Sequence, residues 1–379
     1  MKTIAKRVGL ALLILLVLIL LAVGGYVGYM QHQYYRIPDH TALTVGSTAQ
    51  TPDKTIQGEL AMGTPYTAVS YNVGFGAYGP EYSFFMDTGT MLDGTQLRGE
   101  YGKALSAESV QQHTQGALEV LQDLDADFVL LQEVDVDSTR SYHIDQRQLF
   151  LEGMPGYSWV YDCNFHSAYL LYPFNDPHGA VQAGLVTLGR HGFTEAEHRS
   201  YPVDGSFITK FTDLDRCFTV LRVPVEQGHE LVLINSHMSA YDKGGMIRQQ
   251  QLQMLSDVMT QEYQKGNYVI VGGDFNHALG QEVAEAFPSQ QQFPGWVCIL
   301  DQQDLPEHFS IAGAENRLQV ATCRGAEIPY EPGVNFSTVV DGFWVSDNIE
   351  YTVQNIDTGY AYSDHNPVRM TFILLDPQA

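Results

Sequence analysis

The sequence predicts an α/β protein in which two mainly antiparallel sheets pack face to face with helices outside, preceded by one N-terminal transmembrane helix. Three observations carry this. Short apolar, β-branched runs recur between Gly, Pro and Asn, a strand-rich pattern. Two amphipathic stretches interrupt them, and each precedes a further apolar run. Residues 8–30, VGLALLILLVLILLAVGGYVGYM, contain no charge and exceed the roughly 18 residues that mark a membrane span.

In chain order, Lys2, Lys6 and Arg7 precede that apolar run, and no Lys or Arg follows until Arg36. Basic residues stay on the cytoplasmic side, so the rest of the chain is expected outside the cytoplasm at the cell membrane. The run is longer than a signal-peptide core and lacks an A-x-A cleavage site, which favours an uncleaved anchor over a cleaved signal. Residues 1–30 are thus a cytoplasmic stub and anchor. Residues 31–60, with Pro38, Gly46, Pro52 and Gly58, are expected to be a linker. Residues 61–379 form a single large domain.

Within that domain the apolar runs include TAVSYN, DFVLLQE, GYSWVYD, AGLVTLGR, CFTVLRVPV and ELVLINSH. NYVIVGGDFN, GWVCIL, STVVDGFWV and VRMTFILL follow. Residues 106–123 begin on a Ser-x-x-Ser stretch suited to a helix cap and place their apolar residues along one side; residues 245–264 do the same without the cap. The hydrophobic content of 44% supports a packed core. The four cysteines, Cys163, Cys217, Cys298 and Cys323, form no CxxC pair, which argues against a zinc site. Disulfides and buried free thiols are both compatible with that spacing.

Polar motifs punctuate these runs: SYNVG at Asn72, LLQEV at Glu133, INSHM at His237, GGDFN at Asp274 and Asn276, VVDGFW at Asp341, and SDHNP at Asp364 and His365. Acids, amides and imidazoles are poorly suited to strand interiors. They suit strand ends that converge on a metal and a phosphate. Taken singly each has an ordinary reading: a solvated Glu, an Asx turn, a structural His. Asp274 and Asn276 are two apart at a strand end, so both side chains can face one way.

As a set, the order and spacing of these motifs resemble the endonuclease/exonuclease/phosphatase superfamily, from about Thr67 to Phe372. The resemblance implies a four-layered α/β sandwich and metal-assisted attack of water on a phosphate ester. It implies Mg2+, with Mn2+ as a substitute, held by Glu133 with Asn72 beside it and Asp364 as a further carboxylate. Asp274 would position or activate the water, and Asn276 would donate to the phosphate. His365 would be the general base, oriented by Asp341. His237 would be the phosphate-contacting imidazole or general acid.

Basic residues are scarce, so their clusters are candidate phosphate clamps. Arg140, His143 and Arg147 follow Glu133 closely, with a solvated loop as the plain alternative; Arg190 and Arg324 are further candidates. The net charge is −24, and residues 1–37 hold four basic residues and no acid. A nucleic-acid footprint is ordinarily basic. A lipid or small phosphoester is therefore favoured as substrate over nucleic acid. A tethered nuclease and a non-catalytic binding domain on the same fold are the alternatives. No obligate protein partner is evident; the membrane is met through residues 8–30.

Overall fold

The computed structural model describes residues 2–207, 209–240, 246–295 and 297–376. Gly245 and Trp296, within the expected second helix and the GWVCIL strand, lie outside the described residues. The elements that build the domain follow in chain order. They are α1 (Lys2–Gln33), β1 (Thr41–Ala42), β2 (Gly46–Ser47), β3 (Pro65–Asn72), α2 (Ala107–Leu124), β4 (Phe128–Asp135), α3 (Gln146–Gly153), β5 (Ser158–Leu170) and β6 (Gly179–Gly189). After these come β7 (Glu195–Ser200), β8 (Cys217–Val225), β9 (His229–His237), α4 (Met246–Gln264), β10 (Tyr268–Asp274), β11 (Phe309–Ala312), β12 (Asp341–Ser346), β13 (Ile349–Asn355) and β14 (Val368–Leu374).

Two seven-stranded sheets result, ordered β13-β14-β3-β4-β6-β5-β2 and β1-β7-β8-β9-β10-β12-β11. Strand alternation explains the layers. In β4, Phe128 and Leu130 point into the inter-sheet core, where Leu233 and Ile270 of the second sheet meet them. Val129 and Leu131 point outward, under Leu118 and Leu121 of α2 and Phe150 of α3. In the second sheet, Val232 and Val271 point outward under Leu255 and Met259 of α4. Both faces of the central strands are buried, which is why they read as unbroken apolar runs. Helix α2 starts at the capping box of Ser106 and Ser109, as the Ser-x-x-Ser stretch suggests.

Pairing is mainly antiparallel, with one parallel pair in each sheet: β3 with β4, and β9 with β10. Helices α2 and α4 are the crossovers. A parallel pair puts two carboxyl ends on one edge, and here both pairs end at the same place. A polar bond ties the sheets together below that edge. Gln132 Nε2 donates to Asn235 Oδ1 at 2.8 Å, and Asn235 Nδ2 donates to Leu131 O at 3.2 Å.

Residues 31–60 run against the domain where a linker was expected. Thr41–Ala42 adds an edge strand to β7, and Gly46–Ser47 adds one to β5. Pro and Gly mark irregular backbone, and irregular backbone can still pair at a sheet edge. Helix α1 is an apolar helix of membrane-spanning length near the N-terminus. All four cysteines are free thiols.

Candidate active site

The carboxyl ends of β3, β4, β9 and β10 present Asn72, Glu133, His237 and Asp274. Asp341 joins them because β12 runs antiparallel to β10 with Asp274 opposite Asp341. Asp364 and His365 come from the loop before β14. A bulge between Leu131 and Val134 interrupts the β4–β6 ladder, and Glu133 there has φ 56°. The bulge turns Glu133 out of the strand alternation, toward the second sheet, where its Oε1 lies 3.8 Å from His237 Nε2.

Asp274 Oδ2 is the hub. It accepts from Asn72 Nδ2 at 3.0 Å and lies 3.4 Å from His237 Nε2 and 3.9 Å from His365 Nε2. Its other oxygen accepts from the Asn276 backbone N–H at 2.9 Å. His365 Nδ1 meets Asp341 Oδ2 at 2.8 Å, which leaves Nε2 facing Asp274. Asn276 is in the left-handed region, φ 51°, and one of its amide hydrogens goes to Met238 O.

Burial and charge set the protonation. Burial lowers His237, and Arg216 lowers it further against the pull of Asp274. Burial would lower His365 too, but Asp341 and Asp274 hold it well above the usual imidazole range. Burial tends to raise Asp274, and His237 and His365 override it and hold Asp274 low. Burial, partly offset by His365 and Arg324 and reinforced by Glu133, pushes Asp364 up to about 6. The result is a neutral-leaning His237 and a cationic-leaning His365 on either side of one carboxylate.

Glu133, Asp274, Asp341 and Asp364 crowd hard oxygens into one buried place, where burial, above all, holds Asp364 up at about 6. That donor set fits a small divalent cation. Glu133 and Asp364 would hold it, and when bound it would neutralise charge on a phosphoryl group. Asn72 Oδ1 accepts from the Gly74 N–H at 3.0 Å, and its N–H groups face Asp274 and Glu133. Asp274, Asp341 and His365 also have metal-ligand spacing, but His365 Nδ1 is committed to Asp341 at 2.8 Å. A second compact group, Asp162, His198 and Cys217, is internally bonded, with His198 Nδ1 at 2.8 Å from both Asp162 oxygens.

The candidate clamps fare unequally. Arg140 is buried, its fork closed on Asp135 through bonds of 3.1 and 2.8 Å, and it stacks on Phe75 at 3.8 Å. Arg324 is buried at the cavity wall and donates to Gly79 O at 3.0 Å. His143 is exposed and pairs with Asp137, and Arg147 pairs with Asp145. Arg190 directly follows β6, which is antiparallel to β4. It therefore sits at the far end from Glu133, bound to Asp125. Arg216 is the residue sequence reasoning missed. It directly precedes Cys217, which pairs with His237 across β8 and β9. It is 6% exposed and lines the cavity above His237 and Asp274. Its Nε and Nη1 are buried without partners, as is His237 Nδ1. Only the strand register reveals its place.

This cavity, about 1500 Å³, is lined by Glu133, His237, Asp274, Asp364 and His365 among others. Two packed mixed sheets whose strand ends gather carboxylates, amides and a His–Asp pair define a metal-dependent phosphoester hydrolase. Residues 69–365 match the model of the Endonuclease/Exonuclease/phosphatase family, and the chain belongs to that family. An endonuclease/exonuclease/phosphatase from Beutenbergia cavernae DSM 12333 shares the fold, with TM-score 0.52 and 17% identity over 82% of this chain and 72% of that one. The human Nocturnin catalytic domain with bound sulfate anion gives TM-score 0.48, 16% identity and coverage of 82% and 94%. D. rerio TDP2 complexed with single strand DNA product gives 0.47, 16%, and 82% and 99%. Comparison with curated protein sequences gives no match.

Proposed function

We propose that this protein is a membrane-anchored, Mg2+-dependent phosphodiesterase whose catalytic domain, residues 61–379, works outside the cytoplasm on a lipid-borne or small phosphoester. The observation that carries the substrate preference is the cavity above the catalytic set. Its walls are largely aromatic and aliphatic, with Phe84, Phe85, Tyr172 and Phe211 among them, instead of a cationic track. A polyanion needs many cationic contacts along its backbone, whereas one phosphate needs a single clamp.

His365, oriented by Asp341, takes a proton from the attacking water, which Asp274 positions. Because Asp341 and Asp274 favour the cationic form of His365, only the neutral fraction can act as this base, and turnover should rise with pH. His237 and Asn276 meet the phosphoryl oxygens, and Arg216, whose Nε and Nη1 are buried without partners, supplies a cation to them. Glu133 and Asp364 would hold Mg2+, which would supply the remaining charge neutralisation. The second reading, a tethered nuclease, is favoured by the arginines at the cavity: Arg98, Arg140, Arg216, Arg248 and Arg324. Four of these are already engaged: Arg140 by Asp135, Arg98 by Tyr172, Arg324 by Gly79 O and Arg248 by Ala240 O.

The test uses the full-length protein in detergent with Mg2+ at physiological ionic strength. Bis(p-nitrophenyl) phosphate, sphingomyelin, phosphatidylcholine, single-stranded DNA and plasmid DNA are offered side by side. Turnover of a lipid or of the small diester above that of either DNA supports the reading. Efficient DNA cleavage with neither of the others turned over reverses it in favour of the nuclease.

A further inference from the structure

The cavity lined by the catalytic residues is also walled by the anchor helix itself. Ala22, Val23, Tyr26, Val27 and Met30 of α1 line the same space as Glu133, His237 and Asp274. The helix is seated there by specific contacts. Met30 is buried against Ala168 and Phe211, with Tyr26, Tyr34 and Leu170 around them. Tyr26 OH donates to Tyr169 O at 2.9 Å, the Tyr169 N–H donates to Tyr29 OH at 3.1 Å, and Lys210 Nζ donates to Gln31 Oε1 at 2.8 Å. Beyond the helix, Arg36 Nε pairs with Asp215 at 3.6 Å.

Depth follows from helix geometry. From Val8, about 20 residues at about 1.5 Å each span the roughly 30 Å of hydrocarbon and end near Val27. The cavity wall formed by residues 22–30 therefore lies at the level where hydrocarbon gives way to headgroups. Tyr26 and Tyr29 suit that level. The loops beside it carry large apolar side chains in the open: Phe174 is 83% exposed and Phe207 57%, with Tyr172 and Leu171 adjacent. Phe174, Phe207, Tyr172 and Leu171 also line the cavity. Exposed apolar tips of this kind, continuous with a membrane helix, mark a membrane contact.

We propose that a lipid of the bilayer that holds α1 enters this cavity sideways. Its acyl chains lie between the last turns of α1 and the Phe174/Phe207 rim, and its phosphodiester reaches Arg216 and the catalytic residues. The anchor is then part of the substrate site, and the enzyme acts on lipids of its own leaflet. This rests on the phosphodiesterase reading above, and its length scale is set by α1.

The test reconstitutes the full-length protein in vesicles of phosphatidylcholine and sphingomyelin that contain a phosphatidylcholine with a photoreactive diazirine on one acyl chain. Labelling is done with Asp274→Asn protein, so it does not depend on turnover. The label is expected on the α1 peptide around residues 22–30 and on the segment around Phe211. In parallel, Phe174→Asp and Phe207→Asp, at exposed rim positions, are expected to lower the ratio of lipid to bis(p-nitrophenyl) phosphate turnover. The drop should be roughly ten-fold, the weight of one large apolar side chain withdrawn from hydrocarbon. Label confined to the membrane-embedded turns of α1, with none near Phe211, overturns the proposal, as does an unchanged ratio in both variants. Label at both places with no turnover of either substrate by the wild type keeps the lipid groove and overturns the phosphodiesterase reading.

Discussion

Strand β10 has a carboxylate network at each end, and the two are in opposite states. Before its start, Glu262 accepts from Arg222 at 2.8 Å, Lys265 at 2.8 Å and Asn267 at 2.9 Å. Burial alone would raise Glu262, but those donors hold it down to about 2. At its end, Asp274 shares a pocket with Glu133, Asp341 and Asp364, and burial pushes both Asp341 and Asp364 up to about 6. Arg216 lies nearby with two buried nitrogens unpartnered. The same groups, carboxylate and guanidinium, are matched to each other at one end and left apart at the other. A paired cluster contributes to folding. An unmatched one is held in place by the surrounding fold and is available to a metal ion and a phosphate.

The contrast can be broken by substitution, and the largest effect is expected at the unmatched end. Asp274→Asn and His365→Ala should each lower kcat by about 10²- to 10⁴-fold, the range for losing a positioned base or its partner. Both variants should still fold, with lowered melting temperatures, because His237 and His365 hold Asp274 low and each substitution removes part of that pairing. A variant that fails to fold would mark that end as structural.

Arg140 sharpens the comparison, since it lies near Glu133 yet is fully paired. Arg140→Ala leaves Asp135 buried without its partner and should cost about 3–5 kcal/mol of stability, read from denaturant unfolding. Arg216→Gln should do the reverse. It should reduce turnover by about 10- to 100-fold, as for one lost charged hydrogen bond to substrate, with stability unchanged or improved. If the two variants behaved alike, pairing would not separate the structural from the functional guanidinium.

The smallest effect belongs to the matched end. Glu262→Gln should cost about 1 kcal/mol and leave kcat alone. Because its pKa is depressed on folding, Glu262 stabilises the protein above the ordinary Glu value of about 4.3, and that stability should disappear as pH falls toward about 2. Urea midpoints of the wild type and Glu262→Gln should therefore converge on acidification.

These contrasts also separate what was legible in the sequence from what was not. The central strands could be read because both of their faces are buried, leaving nearly unbroken apolar runs. Strand β7, EAEHRS, could not: its residues are polar and it is defined by pairing with β1 and β8. The motif residues were legible because polar groups closing apolar runs lack another explanation. The clamps were harder. Arg190 follows a strand end as Glu133 does, but antiparallel pairing sends it to the opposite edge. Arg140 is near in sequence and in space, and only the bidentate bond to Asp135 shows that its fork is taken. Arg216 and the Gln132–Asn235 bond between sheets depend on register, and the docking of α1 against Phe211 depends on packing across distant segments.

The most direct test of an unmatched, metal-accepting end is thermal denaturation of the full-length protein and of Asp364→Asn in detergent at neutral pH, each with EDTA and with saturating Mg2+. Asp364 is raised on folding, so its ionisation works against the metal-free fold as pH climbs from the ordinary Asp value of about 3.9 through about 6. The account predicts that in EDTA Asp364→Asn melts at or above the wild type. It predicts that Mg2+ raises the wild-type melting temperature by several degrees, in proportion to ligand linkage, and raises that of the variant much less. A wild-type melting temperature indifferent to Mg2+, together with a variant that melts below it in EDTA, would contradict the account.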